Sequence, residues 1–221
     1  TWDIVEAFYG QFGFKLAVRL SFHDPNTPEK YLGSPEMWQQ SEAALTAMAK
    51  KRSKDFFIAP GEANFYGPKI DFMAEDSLGR SWQVATIQLD VNLPKRFELT
   101  FVNDQGHEEE VVMIHAAIMG SIERFMSILI EHFAGDFPAW LAPVQVVLLP
   151  ISEKYIEYAQ TVAHKLTEAG IRFELDDSNE SLGKRIREAE TQKIPFILVV
   201  GAKEEEDKPV PVRQRGTPDQ A

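Results

Sequence analysis

Met113-Ile114-His115-Ala116-Ala117-Ile118-Met119-Gly120-Ser121-Ile122-Glu123-Arg124-Phe125 is the stretch whose reading decides the fold. It sets a histidine, a glycine and a Glu-Arg pair where an apolar segment meets an amphipathic one. As one continuous helix it would carry His115 and Arg124 on opposite sides, about 180° apart at 3.6 residues per turn. The two could not then serve one site. As a strand over 111–115 followed by a helix from about Gly120 and Ser121, it lets both side chains face one cleft. The spacing of Ile122, Phe125, Ile128, Leu129 and Phe133 continues that second reading as a helix.

Upstream, Trp2, Val5, Phe8, Tyr9 and Phe12 form a helical stripe from the first residues, with no capping signal ahead of it. Phe14 to Ser21 alternates as a strand. Ser34-Pro35-Glu36 predicts a helix start, serine as N-cap and proline in the first turn, leading to about Lys51. Residues 56–102 read as antiparallel sheet, with turns at Asp76–Gly79 and Asn103–Gly106. Strands backed by long helices are the α+β pattern.

Two prolines in Phe137-Pro138-Ala139-Trp140-Leu141-Ala142-Pro143 mark a change of style. Beyond them, Val144–Pro150, Ile171–Asp176, Ile194–Val200 and Val210–Arg213 read as strands, and Glu153–Ala169 and Glu180–Lys193 as helices. Near-continuous apolar strands alternating with helices imply a mostly parallel sheet covered on its faces. The expected domains are therefore 1–139 and 140–221.

Composition narrows the function classes. The 221 residues contain no cysteine, which excludes disulfides and thiolate metal sites within the chain. No run of about 18 apolar residues exists, and residues 1–20 lack a signal-peptide layout, so a soluble cytoplasmic protein is expected. The net charge of −11 argues against a general nucleic-acid binder. A local basic face remains compatible with RNA.

Several segments carry candidate chemistry. Gly61-Glu62-Ala63-Asn64-Phe65-Tyr66-Gly67-Pro68-Lys69-Ile70-Asp71 is a loop entering a strand; by itself Tyr-Gly-Pro-Lys is an ordinary turn. In Trp82-Gln83-Val84-Ala85-Thr86-Ile87-Gln88-Leu89-Asp90, simple alternation puts Gln83 on one face and Thr86 with Gln88 on the other. Glutamines in an apolar strand need partners, which a polar cavity or an exposed sheet face would supply. His115, alone at the end of an apolar strand, is on residue type a structural histidine, and Arg124 a solvated surface cation. Asp176 to Glu188 is equally an ordinary capped helix start.

Together and in this order, these motifs resemble the class II aminoacyl-tRNA synthetases, and His115 ahead of the arginine-bearing helix narrows the resemblance to the threonyl-tRNA synthetases. The resemblance covers essentially the whole chain. It implies an antiparallel class II core, here its second half with motif 3, followed by an α/β anticodon-binding domain lacking its last helix. The implied parent activity joins threonine to its tRNA through threonyl-adenylate, with ATP-Mg²⁺ as substrate and a homodimer as the full-length assembly. Neither membrane nor DNA is an implied partner.

By the same resemblance Arg124, Lys69 and Tyr66 approach the reacting groups. Gln83, Thr86, Gln88 and Ser121 line the threonine and ATP pocket. His115 is one ligand of a zinc ion whose other two ligands, a cysteine and a histidine, lie outside this segment. Asn179, Arg187, Glu204 and Arg213 are the candidates to read anticodon bases. Val84-Ala85 stands where Cys-Gly is usual, Ala116 where arginine is common, and Ser178 where arginine precedes the asparagine. The isolated chain is expected to be catalytically incomplete, since motifs 1 and 2 are not in it. The alternative is a stand-alone non-catalytic tRNA-binding or regulatory protein derived from a synthetase.

Overall fold

The computed structural model describes residues 1–52, 55–202 and 210–217. It contains two compact units, Thr1–His132 and Phe133–Ala221.

The first unit is built on a five-stranded sheet in the order β2-β1-β3-β4-β7. Its strands are β1 (Leu16–Phe22), β2 (Phe56–Pro60), β3 (Lys69–Glu75), β4 (Ser81–Asp90) and β7 (Met113–Ala117). The helices are α1 (Trp2–Gly10), α2 (Pro35–Arg52), the short α3 (Leu93–Arg96) and α4 (Ile122–Phe133). Alternation gives the sheet two unlike faces. Val18, Leu20, Ile70, Phe72 and Ala74 point one way and are buried. Trp2 of α1 meets Phe72 edge-on at 5.0 Å, and Phe125 of α4 packs among Phe8, Tyr9 and Phe12. Each such side chain contributes about 1.5–3 kcal/mol by leaving water. Arg19, Ser21, Lys69 and Asp71 point the other way, so the polar side of the same strands is left for chemistry.

The expected helix-or-strand fork at residues 113–125 resolves as a strand and then a helix. Met113–Ala117 pairs with β4, and α4 begins at Ile122 after Gly120 turns the chain at φ 63°. Two expectations change. The sheet is not antiparallel throughout, because β2 runs parallel to β1; the 18-residue helix α2 carries the chain back to the same end before β2 begins. Within the 56–102 segment expected as sheet, only Thr100–Val102 is strand after β4. After β4 the Asp90 carboxylate accepts the backbone N–H groups of Asn92 and Leu93, starting α3 with Pro94 in its first turn. The chain then leaves the sheet, and β5 (Thr100–Val102) pairs with β6 (Glu108–Glu110) in a separate ribbon.

The second unit has the sheet order β11-β10-β8-β9. Strands β8 (Val146–Pro150), β9 (Phe173–Leu175) and β10 (Phe196–Val200) are parallel, and β11 (Val212–Gln214) is antiparallel at the edge. Central β8 is buried on both sides, as its unbroken apolar sequence requires. Val146 and Leu148 pack with Ala159 of α5 (Ile156–Glu168), and Val147 and Leu149 with Ala189 of α6 (Leu182–Thr191). Ser181 caps α6 by accepting the Lys184 N–H.

Candidate functional site

A bulge in β4 assembles the polar face. Phe72 pairs with Ala85, but the next residue, Met73, pairs with Gln83, so Val84 is an extra residue without an opposite number. Strict alternation separates Gln83 from Thr86 and Gln88. The inserted residue reverses that, and all three side chains share one face with Asp71, Lys69 and His115. Asp71 is paired directly with Thr86, Lys69 with Gln88, and His115 with Gln88. The bulge is held from behind. Tyr9 donates its hydroxyl to the Val84 carbonyl at 2.9 Å, and burial pushes that phenol's pKa up, so it remains a neutral donor. A Cβ on Gly120 would come within 3.2 Å of the same carbonyl oxygen.

One end of the face is charged. Asp71 is fully buried, and an unpaired carboxylate there would be strongly destabilising. Arg19 donates to its Oδ2 from Nη2 at 2.9 Å and Nε at 3.3 Å, Ser21 donates at 2.6 Å, and Lys69 Nζ lies 3.4 Å away. Gln83 joins them: its Nε2 donates to Asp71 Oδ1 at 2.8 Å, and its Oε1 accepts from Arg19 Nη2 at 2.9 Å. Glu62 lies 3.7 Å from Arg19 Nη1.

The other end is built on Tyr66, Gln88 and His115. Asn64 Nδ2 donates to Gln88 Oε1 at 2.7 Å and to the Tyr66 hydroxyl at 2.9 Å, and Tyr66 itself donates to Gln88 Oε1. With its oxygen so occupied, Gln88 presents its amide N–H groups. Burial raises the Tyr66 pKa against the opposing Asn64 hydrogen bond, and the Asp90 charge adds to the rise. The Tyr66 ring stands 5.3 Å from the His115 ring, and His115 Nε2 is 2.9 Å from Asp90 Oδ2. Gly67 explains why the Tyr66 loop can lie so close to the strand: a Cβ there would sit 1.8 Å from the Leu89 carbonyl oxygen.

Between the two ends lies Thr86. Its Oγ1 is buried and has no hydrogen-bond partner. A buried hydroxyl left without a partner among polar side chains calls for a specific explanation. Ser121 and Arg124 stand at the start of α4, where the Ser121 hydroxyl accepts the Arg124 backbone N–H at 3.3 Å. The Arg124 side chain is exposed.

In the second unit, Asn179 lines a polar pocket of about 390 Å³ at the carboxyl ends of the parallel strands, with Pro150, Ser152, Lys154, Asp177 and Arg185. That is where parallel α/β sheets present ligands. Arg187 is exposed on α6. Arg213 lines a different pocket, of about 260 Å³, and is ion-paired with Glu190 at 2.8 Å. Glu204 lies outside the described residues. Asn179 and Arg213 are thus not brought into one pocket.

Residue type and spacing did not single out Arg19, Asp71, Asn64, Asp90 or Arg185. Arg19 and Asp71 face each other across β1 and β3, and that pairing has no local sequence signal. Asp90 reads locally as the end of a strand, yet its two oxygens serve α3 and His115. Among the described residues no group of three His, Cys, Asp or Glu side chains could hold a metal ion, and no helix is long and apolar enough to cross a membrane.

Comparison with known proteins finds matches along both parts of the chain. Residues 1–133 match the tRNA synthetase class II core domain (G, H, P, S and T), and residues 145–221 match the anticodon binding domain. The chain is 48% identical over 213 residues to a threonine–tRNA ligase of Pelodictyon phaeoclathratiforme, covering 96% of this chain and 32% of that protein. It is 48% identical over 220 residues to the threonine–tRNA ligase of Fusobacterium nucleatum, covering 99% and 35%. The chain therefore spans about a third of the length of these curated relatives. The crystal structure of the RNA binding domain of threonyl-tRNA synthetase from Cryptosporidium parvum superposes with a TM-score of 0.91 at 40% identity, covering 97% of this chain and 53% of that one.

Proposed function

Since the chain belongs to the class II tRNA synthetase family, with the core domain joined to an anticodon-binding domain, we propose that it is part of a threonine–tRNA ligase. In this reading the polar face of the first unit binds threonine and ATP. The threonine carboxylate attacks the α-phosphorus of ATP, giving threonyl-adenylate and pyrophosphate, and threonine then passes to the 3′ end of its tRNA. The second unit reads the anticodon.

The observation that carries the reading is the β4 bulge, which turns Gln83, Thr86 and Gln88 onto one face around an unsatisfied Thr86 hydroxyl. A face of fixed donors suits a reaction driven by positioning and charge stabilisation, with no covalent nucleophile. Lys69 and Tyr66 enter it from the Gly67 loop. Arg124, exposed and always charged, is assigned to the triphosphate, which a planar guanidinium matches. ATP is taken with Mg²⁺, and the full-length protein acts as a cytoplasmic homodimer.

The donor set fits a zinc ion only in part. His115 has the backing carboxylate usual for a metal-bound imidazole, since Asp90 engages Nε2 and leaves Nδ1 as the ligating nitrogen. One histidine does not hold zinc by itself; the resemblance to the threonyl-tRNA synthetases implies that a cysteine and a histidine from outside this segment complete the set. A zinc ion held there would supply a Lewis acid for recognising the threonine hydroxyl. A site that requires the hydroxyl rejects valine far better than an apolar pocket does.

The isolated 221-residue chain is accordingly expected to be inactive. On α4, Ile122, Met126 and Ile130 leave an exposed apolar stripe, as a core that continues beyond these residues would require. Aminoacylation of threonine tRNA by the full-length protein tests the anticodon assignment. Substituting the anticodon is expected to lower the rate sharply; an unchanged rate contradicts it.

A further inference from the structure

We propose that Arg19 is a positioning residue of the substrate face, acting through Gln83. The inference rests on the reading of that face as the threonine and ATP site. It begins with the chemistry of a side-chain amide, whose oxygen and nitrogen are nearly equal in size and differ only in accepting or donating. In an ordinary cavity both orientations are open to it.

Gln83 has one orientation. A guanidinium has no acceptor and an ionised carboxylate has no donor. Arg19 Nη2, 2.9 Å away, therefore faces Oε1, and Asp71 Oδ1, 2.8 Å away, faces Nε2. Turning the amide over would set N–H against N–H and oxygen against oxygen. One Nε2 hydrogen is spent on Asp71, and the second is left to donate to an acceptor oxygen of the substrate.

Arg19 is itself pinned. Its side chain is only 15% exposed, and it donates twice to the fully buried Asp71, which also accepts from Ser21. Cross-strand pairing of Arg19 with Asp71 fixes both at the backbone level. The β4 bulge then delivers Gln83 to the pair. Lys69 provides the second cation near Asp71 at 3.4 Å, so charge balance alone does not account for Arg19. Its distinct contribution is the second acceptor it engages, the Gln83 oxygen. Preset donors of this kind need no reorganisation when charge moves in the reaction.

The test is a double-mutant cycle in the full-length protein, read as kcat/KM for threonine-dependent ATP–pyrophosphate exchange. Arg19→Lys keeps the charge opposite Asp71 but cannot donate from one planar fork to both partners. Gln83→Met keeps the volume and removes the amide. Each single variant is expected to lose about tenfold, the order of one hydrogen bond involving a charged group. The double variant is expected to lose no more than Gln83→Met alone, because Arg19 acts through Gln83. Losses that multiply overturn the inference and assign Arg19 a merely structural role. An unaffected Arg19→Lys beside a damaged Gln83→Met overturns the inference and leaves the function standing. An unaffected Gln83→Met overturns both.

A measurement on the unmutated chain guards against variants that fail to fold. One of the two side-chain amide protons of Gln83, the one donated to Asp71, is expected to be protected from solvent exchange in nuclear magnetic resonance spectra. Rapid exchange of both protons contradicts the locked orientation.

Discussion

His115 Nε2 lies 2.9 Å from Oδ2 of Asp90, and the other oxygen of that carboxylate accepts the backbone N–H groups of Asn92 and Leu93. The carboxylate has no exposed surface. It is therefore anchored by the start of α3 and cannot follow the imidazole, so it fixes where the ring points. Asp90→Asn in the full-length protein is expected to weaken zinc by about 10–100-fold, the usual cost of losing such a backing group. Competition with a chromophoric chelator measures it. Unchanged zinc affinity contradicts a ligand role for His115.

Gly67→Ala places a methyl group 1.8 Å from the Leu89 carbonyl oxygen, a backbone atom that cannot rotate away. The loop carrying Tyr66 must lift from β4, breaking the Tyr66 and Asn64 bonds to Gln88. A loss of about 1–3 kcal/mol in urea unfolding of the first unit is expected, the cost of overpacking. No change would mean that the loop and β4 are not in this close register.

Asp76 supplies a pH signature. Burial alone would raise its pKa, but hydrogen bonds outweigh it: from the Trp82 indole, the Arg80 N–H and guanidinium, and the Leu78 N–H. They hold the group well below the usual carboxylate range. A depressed folded pKa stabilises the fold above the unfolded value near 4 and is lost as pH falls through the folded value. Asp76→Asn is thus expected to be destabilised at pH 7, with the gap to the unmutated chain beginning to narrow below about pH 4 and closing only as pH falls through the much lower folded value. Urea titrations at pH 7 and pH 3 measure the difference; a gap that stays constant contradicts the assignment.

Arg185 is buried and ties together the carboxyl ends of two strands, donating to Pro150 O and Asp176 O at 2.8 Å each. Arg185→Met leaves both carbonyls unpaired beside the Asn179 pocket. A loss of about 1–3 kcal/mol in stability of the second unit is expected, together with weaker binding of threonine tRNA. Lost stability with unchanged tRNA affinity would separate this pocket from RNA recognition.

The sequence was most legible where periodicity is long. The β8, α5 and α6 segments carry unmistakable apolar patterns and fall within a few residues of their expected bounds. The strand-then-helix order is also legible, because Gly120 and the 3.6-residue spacing after it are local signals, although the strand spans Met113–Ala117 and not the expected 111–115. Gln83 shows the limit. Alternation set it apart from Gln88, and only pairing with β3 reveals the extra residue at Val84 that reunites them. Arg19 and Asp71 are likewise joined across strands. Whether β2 runs parallel or antiparallel depends on how α2 returns the chain, which composition does not encode.

Threonine-dependent ATP–pyrophosphate exchange by the full-length protein tests the central claim most directly. Exchange with threonine, with valine far weaker and the 221-residue chain inactive, is the predicted result. Exchange driven by another amino acid, or none with any, would contradict it.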